Sequence, residues 1–584
     1  MQGYRFGRAV LAVVVLSSLW ASATKKKTSP KLDDESWKSD PKFNSVVDKI
    51  TAQEKLFINA LRGYQPMVET YIQNMRPDKD LGTVPVSDEY FLGRIKMEQG
   101  VEDVDFLPEK AQTSMLHRIF SSMQNLPSLG GGKPQRGGYM SSGFAQMVVI
   151  DMSSFDRQHY DFRFVRREFL GDVRTLVIDV KPKQPQPKAM FIGRIWVEED
   201  QYHVVRLNGK YRPNPKRGEY LHFDSWRENL TGDQWLPVYV FSEETDLTRG
   251  NDYWNFRAQT LLWGYSIGRP NKVSEYTDIV VDSPDKIKDQ SDSKQDRTGV
   301  EGERAWQRQA EDNILDRMQR AALLAPEGDV DKVLNTVVQN IEVTNNLDVE
   351  PEIRCRVLLT QPLESFTVGH TIVVSRGLLD TLPDEASLAA VLAHEMGHIL
   401  SSHQINEKYA FSDMLIFPDQ TTIQNIRVNR SPEEEKEADA KAVQLLQNSP
   451  YKDKLSSAAL FLAATQAQAG QLTHLLQGNF GYPLLTPENG VRMSALVPSA
   501  PTLQVRDVKQ IAALPLGERI KLEPWSNQVT MLKTRSVNLV SANEKKPFEV
   551  TPRFPYLTRN PQVAAGASAE KIPPAADATP VPHQ

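Results

Sequence analysis

The chain has 584 residues, of which 40% are apolar and 24% are charged, and these fractions are ordinary for a globular protein. This length corresponds to about three or four domains, each able to bury a core. The formal net charge of −5 is small, and the sequence contains no basic stripe with interleaved aromatic residues. Composition and charge therefore argue against nucleic acid as a partner.

The N-terminus has the pattern of an export signal. Arg5 and Arg8 precede an apolar run at residues 9–16, and residues 21–23 read Ala-Ser-Ala, which suits a cleavage site. The alternative is an uncleaved anchor, but the apolar run falls short of the roughly 20 residues that a bilayer requires. We expect a signal peptide at residues 1–23, an exported protein in the bacterial periplasm or outside the cell, and no transmembrane segment after signal removal.

The N-terminal half is predicted to change from helix to sheet. Residues 41–80 contain apolar residues at helical spacing and are predicted to form a helical segment. Residues 88–282 contain short runs rich in β-branched and aromatic residues, such as "RTLVIDV" and "AMFIGRIWV", separated by turn-forming residues. The second pattern predicts an antiparallel β-rich domain.

A polar segment precedes the C-terminal half, and a Pro- and Ala-rich segment ends it. Residues 283–303 are almost devoid of apolar side chains and are predicted to form a polar linker. A further domain is expected at residues 304–500, followed by a C-terminal extension at 501–559. The Pro- and Ala-rich residues 560–584 are predicted to be disordered.

The motif "HEMGH" in the C-terminal half has the spacing of a metal site. His394 and His398 are one helical turn apart, so both imidazoles reach one cation, and Glu395 flanks them. Two neutral imidazoles leave the charge of a zinc ion intact, and the adjacent carboxylate is placed to take a proton from water. Only ten histidines occur in the chain, so an accidental match is uncommon. The motif predicts a zinc hydrolase.

A third ligand must come from elsewhere in the sequence. The metzincin pattern is excluded because the Gly and His that it requires after the second histidine are absent, and His403 is interpreted as an exposed histidine at the helix end. Downstream, Ser431 and Glu434 form a capping box that begins the helix "SPEEEKEADAKAVQLL", in which Glu435 and Asp439 share a face. From this run alone, the helix either carries a ligand or is a solvated acidic helix start.

Together the two motifs resemble the gluzincin peptidases that include HtpX, the CAAX prenyl proteases and the BepA-like enzymes. These proteins combine HExxH with ExxAD on a second helix, and residues 328–497 contain "HEMGH" and "EKEAD". The resemblance also implies that the strand in residues 371–379 forms a wall of the substrate cleft, where a substrate adds as an extra strand. The implied site residues are His394, His398 and Glu435 as ligands of one Zn²⁺ per chain, Glu395 as general base, and Asp439 as the acid that orients a ligand imidazole.

The resemblance implies an exported zinc-dependent metalloendopeptidase that hydrolyses peptide bonds with a Glu-activated water on the zinc. Its expected partners are polypeptides, either misfolded or envelope proteins, with peripheral envelope association and a role in cell-envelope quality control. The expected fold class is α+β, with an antiparallel half-barrel-like β domain followed by a mainly helical zincin-type peptidase domain that has a small edge-strand sheet. The alternative function is a non-proteolytic chaperone or lipid or lipoprotein carrier with a vestigial zinc site.

Two further features leave alternatives open. Relatives often carry His-Pro followed by Arg, and here Thr486 replaces the histidine while Pro487 and Arg492 remain. Thr486 and Arg492 therefore either act in the cleft or are ordinary loop and helix residues. Residues 143–281 more weakly resemble the half-barrel of LolA- and LolB-type lipoprotein carriers, which implies either a ligand-holding concave face or a packing surface.

Overall fold

The structure is a computed structural model. It describes residues 41–96, 102–105, 141–184, 190–212, 222–232, 234–244, 255–267, 299–403, 430–485, 490–517, 519–533 and 537–559. The predicted signal peptide, the C-terminal tail, most of the predicted linker and Thr486 lie outside these residues. Within them, no helix has the length and apolar character needed to cross a membrane.

A ten-stranded antiparallel sheet forms the N-terminal part of the molecule. Its strands are β1 (Met67–Asp78), β2 (Gly82–Lys96), β3 (Glu102–Asp105), β4 (Tyr160–Leu170), β5 (Val173–Pro182), β6 (Met190–Glu198), β7 (Val204–Arg212), β8 (His222–Thr231), β9 (Gln234–Glu244) and β10 (Asn255–Trp263). Their order is β3-β2-β1-β10-β9-β8-β7-β6-β5-β4, so the described strands form an open sheet with β3 and β4 at its edges. The predicted half-barrel-like antiparallel domain is confirmed.

Helices α1 (Pro41–Leu61) and α2 (Ser141–Gln146) accompany the sheet, and α1 is shorter than the sequence predicts. Pro66, which has no N–H, lies between α1 and β1. The predictions of helix through residue 80 and of a β domain that starts at residue 88 are therefore wrong, because β1 and β2 belong to the sheet. Strand β1 is buried on both faces between β2 and β10, and periodicity alone does not distinguish such a strand from a buried helix.

Helix α1 covers one face of the sheet through a buried ion pair. Both carboxylate oxygens of Glu54 accept hydrogen bonds from Arg227 of β8 at 2.7 Å, and each side chain is only 1% exposed. The Arg227 guanidinium also lies 3.6 Å from the centre of the Phe57 ring. The chain's own helix therefore occupies this part of the sheet face.

A mainly helical region with a small sheet follows, as predicted. Its helices are α3 (Gly299–Arg320), α4 (Asp329–Thr344), α5 (Arg376–Thr381), α6 (Glu385–Leu400), α7 (Pro432–Gln447), α8 (Leu455–Ala467) and α9 (Thr473–Leu476). Its strands are β11 (Arg354–Leu358), β12 (Glu364–Val368), β13 (Thr371–Ser375) and β14 (Tyr482–Pro483), and the hairpin β15 (Ile520–Leu522) and β16 (Val529–Met531) lies further along the chain. Helix α3 begins at Gly299, inside the last residues of the predicted linker.

The strand that was predicted to line the substrate cleft lies inside the small sheet. The strand order is β11-β13-β12-β14, with β13 parallel to β11 and antiparallel to β12. Because both sides of β13 are already paired, a substrate has no free edge there, and the prediction that a substrate adds to this strand as an extra strand is wrong. The sequence indicates that a strand exists, but it does not reveal the neighbours of that strand.

The sheet and the helical region share a buried polar interface centred on Glu69 of β1. Its carboxylate accepts hydrogen bonds from Gln361 N at 2.6 Å, Tyr90 Oη at 2.8 Å and Arg376 Nη2 at 2.8 Å. The Glu69 and Arg376 side chains are each 1% exposed. The start of α5 is thereby fastened to the first strand of the large sheet.

The C-terminal extension returns to the large sheet. Gln73 of β1 donates to Phe548 O at 2.7 Å and accepts from Val550 N at 2.9 Å. Near the β4–β5 turn, Asp172 N donates to Leu557 O at 2.8 Å. The last described residues therefore bind strands that lie hundreds of positions earlier in the sequence.

Candidate metal centre

Helix α6 carries two buried histidines on one face. Asp384 caps the helix by accepting a hydrogen bond from Ser387 N at 2.9 Å. His394 and His398 follow one turn apart, with their Nε2 atoms separated by 3.2 Å and exposures of 5% and 2%. The two imidazoles form two sides of a site that is shielded from water.

Helix α7 brings a carboxylate to the histidines. Ser431 Oγ accepts from Glu434 N at 3.2 Å and Glu434 Oε2 accepts from Ser431 N at 2.7 Å, so the predicted capping box is confirmed. The helices meet where Gly397 faces Ala438, since a Cβ on Gly397 would lie 2.6 Å from the Ala438 carbonyl oxygen. This close approach places Glu435 beside both imidazoles.

His394, His398 and Glu435 form a group that can hold a metal ion. One ligand atom from each lies within 4.8 Å of the others, and all three side chains are buried. Glu435 Oε2 is 3.3 Å from His394 Nε2 and 3.6 Å from His398 Nε2. Neither oxygen of Glu435 accepts a hydrogen bond of good geometry from the described residues. Two imidazoles and one such carboxylate are the donor set of many catalytic zinc sites, so these residues fit zinc.

Asp439 lies behind the first histidine. Its Oδ1 is 2.9 Å from His394 Nδ1. Burial disfavours a charged His394, but the carboxylates of Asp439 and Glu435 beside the ring outweigh burial and raise the pKa of His394 to about 10. Burial likewise opposes the charge on Glu435, yet His394 and His398 lower the pKa of its carboxyl to about 2. The pocket therefore attracts positive charge, for which a metal ion and a proton compete.

Glu395 points toward the small sheet. It is 3% exposed, and its Oε1 accepts a hydrogen bond from Ser365 Oγ of β12 at 2.6 Å. Ser365 was not predicted as a site residue, because a single serine within the strand "ESFTV" has no pattern that distinguishes it. Glu395 is thus held beside the metal group by a residue from a separate element.

Arg492 belongs to the site, which decides one alternative that the sequence left open. Its Nη1 is 2.6 Å from Glu435 Oε2, and its side chain is 5% exposed. The backbone holds it there, because Arg492 N donates to Leu484 O at 3.0 Å. The role of Thr486 stays open, since that residue lies outside the described part of the chain.

Two further residues lie near the metal group. The side chain of His403 is 8% exposed, so its interpretation as an exposed histidine is wrong. The chain turns back at the end of α6 and packs the His403 ring against the helix, which residue spacing along a helix does not reveal. The side chain of Glu437 is 64% exposed, and its carboxylate lies outside the metal group.

Comparison with known families is informative for part of the chain. Residues 326–418 match the family model described as Peptidase family M48. A comparison with curated proteins gives no match. The matched residues include α6 with its two histidines and Glu395, and they end before Glu435 and Asp439. The region that carries the two histidines and Glu395 is therefore similar to M48 peptidases, which supports a metallopeptidase.

Proposed function

We propose that the protein is an exported zinc-dependent metalloendopeptidase. The observation that carries this proposal is the buried group of His394, His398 and Glu435 with Glu395 beside it. Zinc bound by these three ligands would polarise a peptide carbonyl and make water more acidic. The match to Peptidase family M48 supports the proposal independently of the geometry.

The chain's own residues have distinct tasks in this reaction. Glu395 takes a proton from the attacking water and can return it to the departing amine. Ser365 holds the Glu395 carboxylate through the 2.6 Å hydrogen bond. Asp439 fixes the ring orientation of His394, and Arg492 neutralises part of the charge on Glu435. The apolar surroundings of α6 exclude bulk water.

The cellular setting belongs to the proposal as well. The N-terminal signal pattern supports export to the periplasm or the outside, where polypeptides of the cell envelope, including misfolded ones, are the proposed substrates. The carrier alternative requires an accessible sheet face, and α1 already packs on one of the two faces through Glu54 and Arg227. This packing argues against a lipid carrier.

The experiment that tests the proposal replaces the base and keeps the ligands. Glu395→Gln should abolish casein hydrolysis while about one zinc per chain remains bound, because Glu395 is not a ligand. Glu385→Gln, on an exposed residue of the same helix, is the matched control and should retain hydrolysis. Hydrolysis by Glu395→Gln near the parent rate, or a parent protein that neither binds zinc nor cleaves casein, would overturn the proposal.

A further inference from the structure

The C-terminal end of α6 places a third imidazole against the second ligand histidine. Ser402 has φ +55°, its N–H donates to Ile399 O at 3.0 Å, and His403 N donates to His398 O at 3.0 Å. These two bonds define a Schellman motif, which lays the residue after the left-handed position over the last turn of the helix. The residues brought together in this way are His403 and His398.

The two rings meet at hydrogen-bond distance. His398 Nδ1 and His403 Nδ1 are 2.9 Å apart, and the ring planes are inclined by 61°. Arg430 holds the His403 backbone, because its Nη1 donates to His403 O while its Nη2 donates to Thr367 Oγ1 at 2.7 Å. His403 is thus fixed from both the helix and the small sheet.

The tautomers of both rings follow from the geometry. His398 faces the metal group with Nε2, so this nitrogen must keep its lone pair and the ring proton must lie on Nδ1. His403 Nδ1 is then the acceptor, and the His403 proton lies on Nε2, which is 3.5 Å from Glu437 Oε2. We propose that His403 is a positioning residue that fixes the tautomer and ring orientation of the metal ligand His398.

The two ligand histidines would then be oriented by different chemical groups. His394 has a carboxylate behind it, Asp439, and His398 has a neutral imidazole. Loss of an outer hydrogen-bond partner commonly costs about 10- to 100-fold in metal affinity. A neutral acceptor is weaker than a carboxylate, so we expect loss of His403 to lie near the lower end of that range.

The test measures zinc affinity of the full chain by competition with a chromophoric chelator, and it rests on the proposed zinc site. His403→Phe keeps a ring but lacks an acceptor, and it should weaken zinc binding about tenfold. His403→Gln supplies a carbonyl acceptor and should restore most of the affinity. His474→Gln removes a half-exposed histidine that pairs with Asp88, and it should leave the affinity unchanged.

The outcomes separate this inference from the proposed function. If the parent protein binds no zinc, the proposed function fails; if the parent binds zinc and His403→Phe binds it equally well, only the role of His403 fails. Equal losses in the Phe and Gln variants would also overturn it, because they would indicate packing instead of a hydrogen bond. If His403→Phe does not fold, His403→Ala takes its place: a loss of zinc affinity of about tenfold that His403→Gln does not share supports the inference, and parent affinity in His403→Ala overturns it.

Discussion

Buried charge is arranged differently in the large sheet and in the metal centre. In the sheet, both oxygens of Glu54 bind Arg227, and Glu69 accepts hydrogen bonds from three donors. In the metal centre, Glu435 accepts no hydrogen bond of good geometry from the described residues, and Arg492 approaches only one of its oxygens. Fully paired charges fix the packing of elements, whereas buried lone pairs that converge on one point are available to a ligand.

The largest effect is expected from breaking a paired charge in the sheet. Arg227→Leu leaves Glu54 buried without its partner, so the free energy of unfolding should fall by about 3–5 kcal/mol. Urea denaturation measures the loss. The double variant Glu54→Leu/Arg227→Leu removes both charges and should recover much of the stability. If Arg227→Leu and the parent protein unfold at the same urea concentration, the ion pair does not stabilise the packing of α1 on the sheet.

The corresponding change in the metal centre should lower zinc affinity more than it lowers the free energy of unfolding. Glu435→Gln removes a ligand charge, so zinc affinity should fall at least tenfold, about 1.4 kcal/mol, and hydrolysis should be lost. Glu437→Gln is the matched control on the same helix and should change neither property. Metal content after dialysis against a mild chelator compares zinc binding in the two variants, and casein digestion compares their hydrolysis. The reverse pattern, zinc lost from Glu437→Gln and kept by Glu435→Gln, would contradict the pairing of α6 with α7.

A smaller effect is expected from the residue that holds the base. Ser365→Ala removes the hydrogen bond to Glu395. Hydrogen bonds to charged groups contribute about 1.5–3 kcal/mol, and part of this free energy positions the base, so kcat should fall roughly tenfold. Zinc content and KM should stay near the parent values. Steady-state kinetics with a quenched fluorescent peptide separates these parameters. A change confined to KM would mean that Ser365 contacts substrate and does not hold the base.

The smallest effect is expected from cutting the chain between the two regions. The polar sequence at 283–298 should be cut first by limited proteolysis, yet the fragments should remain together on gel filtration. The reason is that Glu69 binds Arg376 and Gln73 binds the Phe548 segment across the cut. Two fragments that separate without denaturant would indicate that this interface is weak.

Local patterns predicted part of this structure and the two histidines of the proposed ligand set, whereas Glu435 was implied as a ligand by the resemblance to the gluzincin peptidases. The histidine spacing, the capping box at Ser431 and the shared face of Glu435 and Asp439 depend on residues close in sequence, where helix geometry is sufficient. Other contacts depend on tertiary packing. Ser365 reaches Glu395 from a strand, and β13 is internal because of strand order, so the sequence provides no signal for either. His403 was misread because a chain reversal, not a helical face, decides its position.

The return of the C-terminal extension to the sheet has a consequence for synthesis of the protein. Phe548 and Val550 complete the hydrogen bonds of Gln73, and Leu557 completes that of Asp172. During synthesis, strand β1 is made first, but Gln73 cannot form these hydrogen bonds until nearly all of the remaining residues have been added. Chains that terminate early would therefore leave Gln73 of β1 without its hydrogen bonds to Phe548 and Val550. Such incompletely bonded chains would be substrates for the quality-control machinery of the cell.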